Sequence, residues 1–112
     1  MIPPPFQEGD FVWCAFPERE NPARPGPGEH IGYTLAVSGV VSPSIAITAL
    51  IAYTTSQPWT SPTRPPGLFV FDRQAAAAFG QGRPFVMDLR RLAAVPVTSE
   101  WFPRLDQPGG GV

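Results

Sequence analysis

Prolines and glycines divide this chain into short apolar segments, and this division is the feature that most constrains its fold. The 112 residues include 16 prolines and 11 glycines, and most of the prolines stand between apolar stretches. Short apolar segments separated by turn residues are typical of a loop-rich, mainly β domain. The length predicts a single domain over residues 1–112, with its core at about residues 8–103 and a flexible tail at 104–112.

Five or six short strands and one helix are predicted along the chain. The strand segments, rich in β-branched and aromatic residues, are 9–16, 30–41, 45–53, 67–71 and 83–97, the last being one long bent strand or two short ones. A Ser-Pro-Ser turn at 42–44 predicts a hairpin between the second and third strands. Asp72 and Gly80 flank four alanines as expected for the N-cap and C-cap of a helix. The pattern indicates a mainly β fold, a small and strongly bent antiparallel barrel with one short α-helix.

The net charge of −1 argues against bulk electrostatic binding to nucleic acid. The charges are unevenly distributed, however. Residues 1–30 carry two Arg against five acids, residues 31–63 carry no charged side chain, and residues 64–91 carry five Arg against two Asp. A neutral central segment is therefore flanked by an acidic arm and a basic arm, unless these charges are simply scattered over the surface.

The chain lacks the sequence features of membrane-spanning and secreted proteins. It contains no run of 18 apolar residues, and its first ten residues lack the basic and apolar regions of a signal peptide. The single cysteine, Cys14, excludes an internal disulfide, and we therefore expect a cytoplasmic protein. One cysteine and one histidine do not make a zinc site, and we expect neither a metal nor a cofactor.

Four polar residues, Thr54, Thr55, Ser56 and Gln57, follow the apolar third strand without interruption. Hydroxyls at a strand end often cap a turn. The alternative is that the three hydroxyls contact a phosphate and that the Gln57 amide forms hydrogen bonds with the edge of a base. His30, the one histidine, is either an exposed loop residue or a group that exchanges protons near neutral pH.

Further candidate binding residues lie in the two long polar loops. Trp59 is a candidate for stacking on an unpaired base, since single-stranded nucleic acids are often bound by aromatic side chains. Arg64 and Arg24 are candidates for phosphate contacts, although each is also explained as a solvated loop residue. Trp13 lies in the first strand and is expected to belong to the core.

Several segments, in this order, resemble the PemK/MazF family of growth inhibitors from type II toxin–antitoxin systems. GDFVWCAFP resembles the opening strand of the family, PGPG and GYTLAVSG its first loop and second strand, and AYTTSQ a segment that ends in a Thr-Thr or Thr-Ser pair. PGLFVF and GRPFVMDLRRLAAVPVTSEWF resemble the rest of one branch of the family. The resemblance covers roughly residues 8–103.

This resemblance implies an SH3-like barrel that is often a homodimer. It also implies a cytoplasmic endoribonuclease (mRNA interferase) that cuts single-stranded RNA and is neutralised by a cognate antitoxin protein, with Thr54 and Thr55 at catalytic positions. The arginine that opens the second strand in the family has no counterpart here. Counting forward from the PGP segment places His30 at that position, and counting back from AVSG places Gly32 there. His30 then completes the expected catalytic set with Thr54 and Thr55.

Three hypotheses follow. The first is an endoribonuclease in which the two threonines position the scissile phosphate and His30 or a loop arginine supplies acid and charge. The second, favoured by the missing arginine, is a barrel of the same family that has lost catalysis and binds RNA or a protein. The third is a small β domain that binds only protein, which is compatible with the sequence pI of about 5.7.

Overall fold

A computed structural model describes residues 6–39 and 47–105 as one antiparallel β-sheet with a short helix. The strands are β1 (Phe11–Cys14), β2 (His30–Ser38), β3 (Thr48–Thr55), β4 (Leu68–Phe71) and β5 (Phe85–Pro96), and the helix is α1 (Arg73–Ala78). The strand order in the sheet is β1-β2-β3-β5-β4. The predicted fold class, mainly β and antiparallel with one short helix, is confirmed.

The predicted hairpin corresponds to the ladder between β2 and β3, which pairs Ser38 with Thr48 and Gly32 with Tyr53. The Ser-Pro-Ser turn at 42–44 lies outside the described residues, as does most of the predicted tail, residues 106–112. The last segment proves to be one strand. Its register shifts by three residues, because Ala52 pairs with Leu92 and Tyr53 with Asp88. This irregularity, at residues 89–91, gives the local disruption of pairing that bends a strand.

The two faces of the sheet carry different side chains, since residues directly opposite each other in a ladder point to the same face. One face packs against the segments that precede β1 and follow β5 and forms the main core. Its buried members are Phe6, Val12, Cys14, Phe16, Ala49, Ile51, Ala93, Val95, Trp101 and Phe102. Cys14 is fully buried in this core, and its burial raises the pKa of the thiol to about 12.

The opposite face carries a cluster of aromatic rings: Phe11, Tyr33, Phe71, Phe79 and Phe85. Phe11 lies on β1 and Phe85 on β5, with two strands between them. In a flat sheet, β1 and β5 would be about 14 Å apart, at roughly 4.8 Å per strand. The two ring centroids are only 5.5 Å apart, so the sheet curls strongly around this face. The described ladders leave β1 and β4 at the two edges, and closure into an SH3-like barrel stays a prediction.

Helix α1 begins after Asp72, the predicted N-cap, and its C-cap is Phe79, one residue before the predicted Gly80. The Asp72 carboxylate accepts a hydrogen bond of 2.8 Å from the backbone N–H of Ala75, which satisfies one of the free donors of the first turn. Gly80 has a φ of +73°, and its N–H donates to the carbonyl of Ala77. This left-handed glycine ends the helix and directs the chain into the loop at 81–84, which reaches the candidate site.

Candidate functional site

A groove of about 640 Å³ opens at one end of the curled sheet. It is lined by side chains of the aromatic face, such as Phe11 and Phe85, and by His30, whose ladder partner Cys14 lies on the core face. The register explains its position, because the antiparallel pairing of Gly32 with Tyr53 places the start of β2 beside the end of β3. Four side chains of the strands, Phe11, Trp13, Ile31 and Phe85, give the groove an apolar surface. The polar part of the lining comes from the ends of β2 and β3 and from the loop before β5.

Five of the residues predicted from the sequence converge on this groove. The lining includes His30, Thr54, Thr55, Ser56 and Gln57. The remaining candidates are not part of the lining: Arg24 and Arg64 are exposed in their loops, and Trp59 is half-buried. The indole Nε1 of Trp59 donates a hydrogen bond of 3.0 Å to the carbonyl of Thr63, so this ring belongs to a local turn of its own loop.

The two adjacent threonines have different hydrogen-bond partners. Thr54 is buried, and its hydroxyl donates to the backbone carbonyl of Ile31, linking the end of β3 to the start of β2. The Thr55 hydroxyl accepts a hydrogen bond of 3.2 Å from the backbone N–H of Gln57, which is the turn-capping contact common for hydroxyls at strand ends. The Thr55 proton can therefore still be donated to a ligand, whereas that of Thr54 is already used by the fold.

His30 is exposed at the first position of β2, and its ring packs against the side chain of Tyr53. The centroid of the ring is 5.2 Å from that of Tyr53. The guanidinium of Arg91 covers Tyr53 at 4.0 Å from its ring centroid, and such cation–π contacts are attractive. Glu29 precedes His30 in the sequence, but its carboxylate binds Arg104 at 2.9 and 3.0 Å.

Arg83 is the lining residue that the sequence analysis missed. It lies in the loop at 81–84, whose four residues form one wall of the groove. Thr55 pairs with Val86 in the ladder between β3 and β5, so the residues just before β5 must lie beside those just after β3. A pairing of the two strands inferred from their apolar patterns would have placed this arginine beside Ser56 and Gln57.

Trp13 also differs from expectation. It was assigned to the core, but it is half-buried and lines the groove, and the guanidinium of Arg104 lies 4.0 Å from its ring centroid. The site thus combines aromatic and apolar surfaces, hydroxyls and amides, one histidine and the guanidinium of Arg83. Aromatic surfaces suit unpaired bases, and cations and hydroxyl donors suit phosphates.

The described part of the chain contains no group of three or more His, Cys, Asp or Glu side chains that could hold a metal ion. Within the same residues, no helix has the length and apolar character that would be needed to cross a membrane. Comparison of the chain with protein-family models, with curated proteins and with solved structures finds no match.

Proposed function

We propose that the groove binds single-stranded RNA and that the protein is an endoribonuclease of the PemK/MazF type. The observation that carries this proposal is the convergence of His30, Thr55 and Arg83 on one groove with an aromatic surface. The arginine that the resemblance requires is absent from the start of β2. Arg83 brings a guanidinium to the same groove from the opposite side, through the loop before β5.

The lining favours an unpaired strand over a duplex. Proteins that bind single strands stack bases on aromatic side chains, each contact being worth about 1–3 kcal/mol. Phe11, Trp13 and Phe85 provide such surfaces, and Gln57 provides an amide able to pair with the edge of a base. The volume of about 640 Å³ lies within the range of pockets that hold small organic ligands, so there is room for a base and its sugar.

The proposed reaction is attack of a 2′-hydroxyl on the adjacent phosphorus. A bond forms between the 2′-oxygen and phosphorus, the bond from phosphorus to the 5′-oxygen breaks, and the products are a cyclic phosphate and a 5′-hydroxyl. His30 accepts the proton of the 2′-hydroxyl and returns a proton to the leaving oxygen. Arg83 and the hydroxyl of Thr55 stabilise the charge that develops on the phosphorane oxygens. Thr54 takes part by holding the ends of β2 and β3 together through Ile31.

The experiment that tests this proposal has two arms. Induced expression of the full chain should halt bacterial growth, and His30→Ala or Arg83→Ala should relieve the arrest. The purified protein should cut a mixed-sequence single-stranded RNA at pH 7 and leave a cyclic phosphate at the new 3′ end. Harmless expression together with intact RNA would show that the nuclease assignment is wrong. A cognate antitoxin, a homodimer and a cytoplasmic location are further parts of the same proposal.

A second candidate is a module of the same family that binds RNA or a protein without cleaving RNA. Two contacts favour it: the Thr54 proton is donated to Ile31, and the Glu29 carboxylate is held by Arg104. His30 is then the one lining side chain left for proton transfer near neutral pH. Tight binding of an RNA that stays intact over long incubation would identify this module.

A further inference from the structure

Arg104 connects two residues of the groove although it is not itself part of the lining. Its Nε and Nη2 atoms lie 3.0 and 2.9 Å from the same oxygen, Oε2 of Glu29. Its guanidinium also covers the ring of Trp13, 4.0 Å from the centroid. Both Glu29 and Trp13 line the groove.

The backbone on either side of this contact is well anchored. Trp101 and Phe102, which precede Arg104, are buried in the main core, and the N–H of Leu105 donates to the carbonyl of Phe102 at 3.0 Å. Glu29 lies immediately before the first residue of β2. The guanidinium is therefore held at the groove by the core on one side and by the indole beneath it.

Glu29 places a carboxylate on the wall of a groove that we propose for an anionic ligand. An unpaired carboxylate there would repel an RNA phosphate, and Arg104 neutralises it. The ion pair is partly exposed, with 38% of the Arg104 side chain and 32% of the Glu29 side chain accessible. Partly exposed ion pairs contribute little net free energy, so an incoming anion can displace the carboxylate.

We propose that Arg104 is a phosphate-binding residue of the groove and that Glu29 occupies its guanidinium until an RNA phosphate replaces the carboxylate. This inference rests on the proposed RNA-binding function. The planar guanidinium matches two oxygens of a phosphate as well as it matches a carboxylate. The contact with Trp13 keeps the cation at the groove during the exchange.

The test measures binding of the full chain to a short 2′-O-methyl single-stranded oligonucleotide, which cannot be cut, by fluorescence anisotropy. Glu29→Gln removes the competing carboxylate and should tighten binding about two- to fivefold, the range expected for a partly exposed pair. Arg104→Gln should weaken binding. It should also reduce the slope of log K against log salt by about 0.7, the value for one lost phosphate contact on a single strand. Arg104→Lys keeps the charge without the planar fork, and its affinity should lie between those of the wild-type protein and Arg104→Gln.

Arg73→Gln is the matched control, because this arginine is exposed on α1 and is not part of the lining. It should change neither the affinity nor the salt slope. If the wild-type protein binds the oligonucleotide but Glu29→Gln binds no tighter, or Arg104→Gln keeps the wild-type slope, the inference is wrong and the proposed function stands. If the wild-type protein does not bind at all, both are wrong.

Discussion

The hydroxyl of Thr54 donates a hydrogen bond to the carbonyl oxygen of Ile31, and this contact joins the end of β3 to the start of β2 at the groove. The neighbouring Thr55 makes no such bond between strands; its hydroxyl accepts from the N–H of Gln57. Both threonines line the groove, but the hydroxyl proton of Thr54 is donated within the fold, whereas the hydroxyl oxygen of Thr55 is an acceptor.

Substitution of each threonine by valine tests this difference. Thr54→Val removes the donor to Ile31 at a buried site and should lower the free energy of unfolding by about 1 kcal/mol. Thr55→Val should change stability by less than about 0.5 kcal/mol, since the residue is partly exposed, but it should slow RNA cleavage more than Thr54→Val does. Urea denaturation and a cleavage assay on the same samples measure both effects, and the reverse ordering in either assay would contradict the assignment.

Arg83 is expected to supply most of the positive charge used in the transition state. Arg83→Ala should slow cleavage by about 10²–10³, by analogy with the loss of one oxyanion donor, and should leave the unfolding free energy nearly unchanged because the side chain is exposed. Arg83→Lys should recover part of the rate, since it keeps the charge but not the fork. Arg73→Ala, which changes an exposed arginine outside the groove, is the matched control. Cleavage by Arg83→Ala at the wild-type rate would remove this residue from the mechanism.

The parts of this fold that local sequence signals specify were predictable from the sequence. Asp72 predicted the start of α1 and Gly80 its end to within one residue, because capping depends on the residue itself and on its nearest neighbours. The polar run at 54–57 likewise predicted residues that line the groove, although its first two members, Thr54 and Thr55, still belong to β3. These signals need no knowledge of which strands pair.

The features that the sequence did not reveal depend on which distant segments of the chain lie next to each other in the fold. The position of Arg83 follows from the ladder between β3 and β5, and the difference between Thr54 and Thr55 follows from the register of β2 on β3. Glu29 and Arg104 are 75 residues apart in the sequence. Their segments meet at the end of β1, where Cys14 pairs with His30 and the N–H of Ala15 donates to the carbonyl of Trp101. Glu29 is next to His30 along the chain, and nothing in the local sequence indicates that its partner is Arg104.

The Pro-Gly-Pro-Gly segment before β2 allows a test of close packing within the long first loop. A Cβ atom at Gly26 would collide with the backbone carbonyl oxygen of Phe16, whereas a Cβ atom at Gly28 would meet nothing within 4 Å. The N–H of Gly26 also donates to the carbonyl of Ala15 at 3.0 Å, which fixes the loop against the end of β1. Gly26→Ala should therefore lower the free energy of unfolding by about 1–3 kcal/mol.

Gly28→Ala, two residues away in the same loop, is the matched control and should stay within about 0.5 kcal/mol of the wild-type protein. Chemical denaturation of the two variants gives the comparison. Equal stabilities would mean that the loop does not approach Phe16 as described.

The acid sensitivity of the fold should depend on Asp88, which is buried on β5 and pairs with Arg90. The carboxylate accepts hydrogen bonds from Nε and Nη2 of Arg90, each at 2.9 Å, and from the backbone N–H of the same residue at 3.0 Å. The side-chain hydrogen bonds from Arg90, reinforced by its backbone N–H and its charge, hold the pKa of the Asp88 carboxyl below its usual value.

Because the pKa of Asp88 is lower in the folded than in the unfolded chain, the ionised carboxylate stabilises the fold at neutral pH. This contribution is fully present above the unfolded value of about 3.9 and is lost as the pH falls through the lower, folded value. Asp88→Asn should therefore lower the melting temperature at pH 7 and flatten its fall below about pH 4. Arg90→Gln should flatten the same part of the curve, and the double variant should add little, since both changes break one pair. Thermal melts between pH 2 and 7 measure the effect, and an unchanged acid slope in Asp88→Asn would show that other carboxylates control it.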